Sequence, residues 1–170
     1  MGLPKKSWLI FAVVCVAAGC GRGGIEVETP KFPELSAADN AAVAEIEKLG
    51  GAVVIADGQV VEIHLSPQRA DQHVDDTALV HVAKLTSAQK LYLTNAEITD
   101  TGLEQLAGMK NLVALNLDGT GVTDAGLKHL EGLSKLYTLS CRNTSVTAAA
   151  VVKLKEAHGG NLLVTRDARD

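Results

Sequence analysis

Residues 115–136 read LNLDGTGVTDAGLKHLEGLSKL, and the same pattern returns 24 residues before and 24 residues after this stretch. The recurring apolar and threonine positions are Leu91, Leu115 and Leu139, then Ile98, Val122 and Val146, and then Thr99, Thr123 and Thr147. A repeat of this length is typical of stacked supersecondary units, because one such unit cannot bury its apolar face alone. The period therefore predicts the architecture of the protein, and it gives little indication of a biochemical activity.

Each unit changes its hydrophobic period midway. Residues 115–117 alternate apolar and polar side chains, which is typical of a half-buried strand. After a turn, the apolar residues of the range 122–130 recur at helical spacing, and Thr123 or Asp124 is placed to cap the helix. Each unit is therefore predicted to run from strand to turn to helix and back.

The pattern L-x-L-x-x-T-x-[IV]-T-D-x-G-L-x-x-L resembles leucine-rich repeats, especially the short ribonuclease-inhibitor-like and cysteine-containing repeats of bacterial lipoproteins and surface proteins. The resemblance covers residues 60–158 and four units. It implies an α/β fold, a short solenoid with parallel strands on the concave face and helices on the convex face. The first unit carries a four-residue insertion between Leu65 and Val74, and the last has three alanines at 148–150 in place of Asp-x-Gly.

Other elements are expected on both sides of the repeats. Ser36 begins a helical run that ends at a Gly-Gly pair, and an Asp-Gly pair follows between two β-rich runs. We expect residues 36–59 to form a capping helix and hairpin that cover the first edge of the sheet. Residues 159–170 are expected to form a C-terminal cap, with a short closing strand at 162–164, and a charged tail.

The N-terminus resembles a targeting signal. Two lysines precede an apolar run over residues 8–18, which is shorter than the ~20 residues needed to span a bilayer. The run ends in Ala-Ala-Gly-Cys, which resembles a bacterial lipobox, so residues 1–19 are expected to be a lipoprotein signal peptide and Cys20 the lipidated residue. The alternative is an ordinary secretory signal that is cleaved near Ala18 or after Gly19.

Lipidation would determine where the protein is located. Acylated Cys20 would attach the chain to a lipid bilayer of the cell envelope, and residues 20–35 would form an extended tether. Gly21 follows the cysteine in place of the aspartate that retains some lipoproteins at the inner membrane. We therefore expect the outer membrane, or otherwise the periplasmic side of a membrane.

Charge and cysteine content exclude several classes of partner and scaffold. Removing the signal peptide leaves 14 basic against 20 acidic side chains, a net charge of −6. Because no basic stripe remains, nucleic acid is not an expected partner. Only Cys20 and Cys141 remain, which excludes a disulfide framework, and Cys141 is predicted to be a small buried core residue.

Sequence motifs for catalysis are absent. No Gly-rich phosphate loop follows a strand, no G-x-S-x-G is present, and no histidine pair has a recognised metal spacing. His73 with Asp75 and Asp76 is the only local cluster of metal-ligand types, and we interpret it as a solvated loop beside a helix cap. We therefore expect a non-enzymatic protein without a metal or cofactor.

The candidate binding residues come from strand parity. The outward positions of the strands would form a central row on the concave face and a second row beside it. The central row consists of His64, Tyr92, Asn116 and Ser140, and the second row contains Thr94, Asp118 and Arg142. This composition suits recognition, since it combines hydrogen-bonding groups with an aromatic side chain, although any solvent-facing strand row is polar.

Two hypotheses follow for function. The first is a membrane-anchored leucine-rich-repeat module that binds a protein or a cell-surface ligand in the cell envelope. The second is a structural envelope lipoprotein whose repeats supply a stable fold without a specific ligand. The sequence alone favours the first without naming the ligand.

Overall fold

The computed structural model describes residues 35–67 and 73–167. The chain divides into two compact units, Met1–Pro30 and Lys31–Asp170, and every described residue lies in the second. The predicted signal peptide, Cys20 and all of the predicted tether except Leu35 therefore lie outside the described residues. No helix in the described part of the chain is long and apolar enough to cross a membrane.

The first element is the predicted N-terminal helix. Helix α1 (Ala37–Lys48) begins after Ser36, whose hydroxyl accepts a hydrogen bond from the backbone N–H of Asp39 at 3.1 Å. Gly50 follows the helix with a φ of 81°, a left-handed conformation that glycine adopts without steric cost. The polar cap and the terminal glycine thus set the two ends of the helix as the sequence predicts.

A hairpin follows this helix. Strands β1 (Ala52–Ala56) and β2 (Gln59–His64) pair antiparallel. Asp57 and Gly58 connect them, and both residues have positive φ, as a two-residue hairpin turn requires. β2 is also the first strand of the repeats, so the hairpin continues directly into the solenoid.

A six-stranded sheet runs through the described residues in the order β1-β2-β3-β4-β5-β6. β2 to β6 are parallel to one another, and β1 alone is antiparallel to its neighbour. The later strands are β3 (Lys90–Tyr92), β4 (Ala114–Asn116), β5 (Thr138–Ser140) and β6 (Leu163–Thr165). β6 is the closing strand, and it lies one residue later than the sequence predicts.

The strand register follows the repeat. Ile63 pairs with Leu91, Leu91 with Leu115 and Leu115 with Leu139, and all four side chains are buried. Ile63 and Leu91 are 28 residues apart rather than 24, which accommodates the predicted four-residue insertion. The predicted strand parity is therefore confirmed across all four units.

The helices line the other side of the sheet. They are α2 (Asp76–Val82), α3 (Asp100–Gln105), α4 (Asp124–Leu127) and α5 (Ala148–Ala157), and a short 3-10 turn extends each of α3 and α4. Each helix turns buried residues toward the strands, among them Leu79, Leu103, Leu127 and Val151. This stack confirms the predicted fold, a short α/β solenoid with strands on one face and helices on the other.

Neighbouring units are joined by a repeated contact between a carboxylate and a threonine. In the middle joint, Asp100 Oδ1 accepts the backbone N–H of Thr123 at 2.8 Å, and Oδ2 accepts the Thr123 hydroxyl at 2.6 Å. The same two bonds join Asp76 to Thr99 and Asp124 to Thr147. The Thr-Asp pair of the sequence pattern thus serves two units, because the threonine starts one helix and the aspartate holds the threonine of the next unit.

The glycine of the same pattern makes room for this joint. A Cβ atom at Gly126 would overlap the carboxylate of Asp100, and one at Gly102 would overlap that of Asp76. Both glycines are buried inside helices with ordinary backbone conformation. Their role is therefore close packing between units rather than a special turn.

The turns between strand and helix are also hydrogen-bonded within each unit. The Thr120 hydroxyl donates to the carbonyl of Leu117 at 2.7 Å, and the Thr144 hydroxyl donates to that of Cys141 at 2.8 Å. Ala96 is buried at the equivalent position of the preceding unit and has no hydroxyl to donate. The hydrogen bond from a threonine hydroxyl within the turn is therefore present in the third and fourth units and absent from the second.

Candidate functional site

The outward side chains of the parallel strands form continuous rows, because each strand is in register with the next. We call the set His64, Tyr92, Asn116, Ser140 and Thr165 the central row. We call the neighbouring set Thr94, Asp118 and Arg142, which lies just beyond the carboxyl ends of the strands, the second row. The structure thus brings the seven predicted site residues to one face, and it adds Thr165 on β6.

The first part of the central row is an aromatic pair. The rings of His64 and Tyr92 stack with their centroids 4.5 Å apart and their planes at 10°. Because each ring stands on its own strand, the stack runs along the row, and one face of Tyr92 is covered by His64. The sequence correctly places Tyr92 on this surface, and the structure shows that the residue is half-buried.

An ion pair flanks the aromatic stack. Lys90 Nζ lies 2.5 Å from Glu62 Oε1, and His64 Nε2 lies 3.6 Å from Glu62 Oε2. The hydrogen bond from Lys90 lowers the pKa of Glu62, and Glu62 in turn raises the pKa of Lys90. This end of the face therefore presents an aromatic pair beside an ion pair, in which the charges of Lys90 and Glu62 cancel.

The second part of the face is a hydrogen-bonded network around Asp118. Its Oδ1 accepts the Ser140 hydroxyl and the backbone N–H of Arg142, both at 2.7 Å. Its Oδ2 accepts the Asn116 side-chain amide at 3.3 Å. Asn116 Oδ1 in turn accepts the Asp118 backbone N–H at 2.8 Å and the Thr94 hydroxyl at 3.2 Å. Four of the predicted side chains are therefore fixed by one another.

The chemical groups on this face are held in fixed positions by the network. The Ser140 hydroxyl donates to the Asp118 carboxylate, and His64 lies three strands away along the row, so its imidazole does not contact this hydroxyl. Arg142 is exposed beside Asp118 and contributes its backbone to the network. The face thus presents a rigid carboxylate, an amide, an exposed cation and an aromatic pair.

Sequence reasoning missed Tyr137, which is 51% exposed and the most exposed aromatic residue in the described ranges. By strand parity it belongs with the buried Leu139, so alternation predicts an inward side chain. Tyr137 precedes the first residue of β5, however, where the sheet ends and the inward direction is no longer covered. Its position directly before the strand was the signal that could have identified it.

A groove of about 350 Å³ lies at the end of the solenoid. It is lined by turn residues of the last unit and by residues after β6, among them Cys141, Thr144, Val146, Arg166 and Asp167. None of the seven predicted binding residues lines it. The concave face and this groove are therefore separate features.

Cys141 belongs to the core, as predicted. Its side chain is buried, and its thiol lies 3.6 Å from the carbonyl oxygen of Thr165. Burial, and secondarily the nearby Asp118 carboxylate, raise the pKa of the thiol to about 11. A thiol with its pKa raised in this way is protonated near neutral pH, and the protonated form is a poor nucleophile.

The acids near His73 are used within the fold. Asp75 caps α2 by accepting the backbone N–H and the hydroxyl of Thr77, and the Thr77 hydroxyl is the main cause that lowers the Asp75 pKa. Asp76 holds Thr99 of the next unit, and His73 Nδ1 lies 3.2 Å from Glu97. Within residues 35–67 and 73–167, no cluster of three His, Cys, Asp or Glu could hold a metal ion.

No protein-family model matches this chain, and no curated protein matches it either. Among solved structures, actin-binding site 2 of leiomodin-1 is similar, with 15% identity and a TM-score of 0.54 over 77% of this chain and 80% of that chain. An internalin, InlF, from Listeria monocytogenes has 15% identity and a TM-score of 0.45, covering 79% of this chain and 43% of that one. The leucine-rich-repeat ectodomain of the receptor kinase SOBIR1 from Arabidopsis thaliana has 12% identity and a TM-score of 0.45, covering 78% and 93%.

The leiomodin-1 comparison establishes a shared fold and does not extend to function at this identity. It agrees with the stack of parallel strands, capped turns and helices described above. The chain folds as a short leucine-rich-repeat solenoid.

Proposed function

We propose that this chain is a non-catalytic leucine-rich-repeat binding module of the cell envelope, anchored to a membrane through acylated Cys20, which recognises a protein or another surface ligand with its concave face. The observation that carries this proposal is the Asp118 network. It holds Asn116, Ser140 and Thr94 in fixed positions while they remain partly accessible. Groups fixed before binding lose little conformational entropy when a ligand arrives.

The aromatic pair supports the same face as the binding surface. Tyr92 and His64 place two rings beside the polar network, and aromatic residues are enriched among the residues that contribute most binding energy. Because the stack packs the Tyr92 ring against His64, the accessible part of the ring is held at a defined position. A ligand that spans the row would therefore meet an aromatic anchor at one end and polar groups at the other.

The size of the face predicts modest affinity. Five parallel strands at a spacing of about 4.8 Å span roughly 20 Å, which is small beside the ~800 Å² per partner of a standard interface. Membrane anchoring would compensate, since several copies on one surface can engage a ligand together. The Ala-Ala-Gly-Cys20 motif after a short apolar run supports such an anchor.

A second candidate function is that of a structural envelope lipoprotein without a specific ligand. The same network favours it in one respect, because Asn116, Asp118 and Ser140 already satisfy one another's hydrogen bonds. A surface of this kind is stable without a partner. The two candidates differ in whether the concave face binds a ligand saturably.

The test is a quantitative pull-down from cell-envelope extract with the compact unit Lys31–Asp170. We expect a saturable partner whose affinity falls at least tenfold in Tyr92→Ala, since aromatic anchors typically contribute ~2 kcal/mol or more. Lys128→Ala is the matched control, because Lys128 is exposed on the helical side. No saturable partner would favour the structural role, and loss of binding in Lys128→Ala with wild-type affinity in Tyr92→Ala would move the site to the helices.

A further inference from the structure

The two ends of the sheet differ from its interior, because each end strand has only one neighbour among the described residues. β1 forms the N-terminal end and β6 forms the C-terminal end. In repeat proteins, interior units bury their faces on their neighbours, so an uncovered end strand offers its outer N–H and C=O groups to another chain. Both ends of this solenoid are therefore possible contact surfaces.

The N-terminal end is apolar. β1 has the sequence AVVIA without a charge or a proline, and Val54 and Ile55 are 45% and 49% exposed. Natural edge strands usually carry lysine, proline or a cover that prevents pairing. A register shift between Val54 and Ile55 shortens the regular part of this edge, which favours a weak contact over a permanent one.

The C-terminal end offers a matching apolar surface. Leu163 on β6 is 54% exposed, and its backbone N–H donates to the carbonyl of Tyr137, which is itself 51% exposed. Among the described residues that lie in a strand or directly before one, Leu163 and Tyr137 have the two most exposed large apolar side chains. Tyr137 lies directly before β5, and Leu163 on β6 is in register with Thr138. Both residues therefore lie near the C-terminal end of the sheet, opposite the end that carries Val54 and Ile55.

The two ends also carry opposite charge. Residues 35–58 contain four acids and one base, a net charge of −3. Residues 137–167 contain four bases and two acids, a net charge of +2. Identical ends therefore repel, whereas unlike ends attract, and contacts across such an interface gain in encounter rate and in register.

We propose that copies of this chain associate head to tail, with β1 of one copy against β6 of the next. β1 runs antiparallel to β2 and hence to β6, so this stacking creates an antiparallel pair, the more stable of the two kinds. The contact is heterologous and leaves a free end on each side, so it builds short chains of solenoids. It runs along the edges of β1 and β6, and it does not depend on the function proposed for the concave face.

The expected strength follows from the area. The end of a solenoid one helix and one sheet thick measures about 20 Å by 20 Å, because a helix is ~10 Å wide and packs ~10 Å from the strands. The contact therefore covers roughly 400 Å² per copy, half that of a standard interface, and a dissociation constant on the order of 0.1–1 mM is expected. Confinement on a membrane would raise the effective concentration into this range.

The test uses sedimentation velocity on the unit Lys31–Asp170 over a range of concentrations up to about 1 mM. We expect the mean mass to rise with concentration at low salt and to fall when salt is added. Ile55→Lys should block the N-terminal end and Leu163→Lys the C-terminal end, so each variant alone should sediment as a monomer. Val80→Lys, which places the same charge at a 47% exposed position on α2, is the matched control and should assemble like the wild type.

Mixing the two blocked variants decides the geometry. Each retains one intact end, so an equimolar mixture should form a one-to-one dimer that grows no further. A wild type that stays monomeric at about 1 mM overturns the proposal. The proposal is also overturned if Ile55→Lys abolishes assembly and Leu163→Lys does not. That result would indicate a symmetric contact between two β1 strands.

Discussion

The carboxylate of Asp100 holds Thr123 of the next repeat by two hydrogen bonds, 2.8 Å to the backbone N–H and 2.6 Å to the hydroxyl. The same Thr123 hydroxyl accepts the N–H of Ala125 at 3.3 Å and so caps α4. One side chain therefore links the helix of one unit to the start of the helix in the next. This relationship explains why threonine, aspartate and glycine recur together in the sequence pattern.

Asp100→Ala should destabilise the solenoid by about 2–3 kcal/mol, because it removes two charge-assisted hydrogen bonds and leaves the Thr123 N–H without its partner. Urea unfolding of Lys31–Asp170 measures the change. Glu104→Ala on the same helix is exposed and should shift the free energy of unfolding by no more than ~0.5 kcal/mol. Equal stability of the two variants would mean that the joint contributes no more than an ordinary surface residue.

Gly126→Ala should cost about 1–2 kcal/mol in the wild-type background, because its Cβ would overlap the Asp100 carboxylate. In the Asp100→Ala background the cost should be much smaller, since alanine is the better helix former and only the Leu103 methyl group, 3.0 Å from the added Cβ, still has to shift. A double-mutant cycle measures this coupling. Additive effects of the two substitutions would refute the packing role of the glycine. In the last unit Ala150 stands at the equivalent place, and there Thr147 accepts the N–H of Ala150 rather than that of Ala149.

The repeat period was sufficient to predict the strands, their register and the face that each side chain occupies. This succeeded because a fixed period forces equivalent residues into equivalent environments, so Leu91, Leu115 and Leu139 are buried together. The insertion after Leu65 was visible as four extra residues and did not disturb the register. Local chemistry likewise predicted the cap at Ser36.

Contacts between units could not be predicted from the sequence. Asp100 lies in the first turn of α3, and its partner Thr123 is 23 residues away in the next unit. The concave row was correctly grouped, but the mutual hydrogen bonds of Asn116, Asp118 and Ser140 depend on rotamers that the sequence does not specify. Tyr137 was missed because strand parity has no meaning one residue before the strand starts.

Strand parity makes a paired prediction at β4. Leu115→Asp should unfold the domain, because an unpaired charge at this buried position costs several kcal/mol against a total stability of ~5–15 kcal/mol. Ala114→Asp, one residue earlier and on the half-exposed face, should be nearly neutral. Thermal melts by circular dichroism compare the two. Asn116→Asp, although it lies on the same half-exposed face as Ala114, should be destabilising, because it would place a second carboxylate beside Asp118.

The buried thiol makes stability depend on pH in the alkaline range. Because the pKa of Cys141 rises from 9.0 to about 11 on folding, its contribution to stability is complete below pH 9 and is lost progressively as pH rises toward 11. Cys141→Ala should be less stable at pH 8 but should lack this part of the alkaline decline. Urea titrations at pH 8, 9 and 10 of both proteins measure the difference. A parallel decline in the two proteins would show that the thiol does not titrate with unfolding.

Anchoring is tested at Cys20. Cys20→Ser should abolish metabolic incorporation of palmitate and release the protein from the membrane fraction, or leave it uncleaved, because serine has no thiol to receive the lipid. Cys15→Ser, in the apolar run before the lipobox-like motif, is the matched control and should be lipidated and anchored like the wild type. Palmitate that remains on the Cys20→Ser protein would exclude Cys20 as the lipidated residue. Unlabelled wild-type protein in the soluble fraction, with its mature end near Ala18 or after Gly19, would instead establish an ordinary secretory signal.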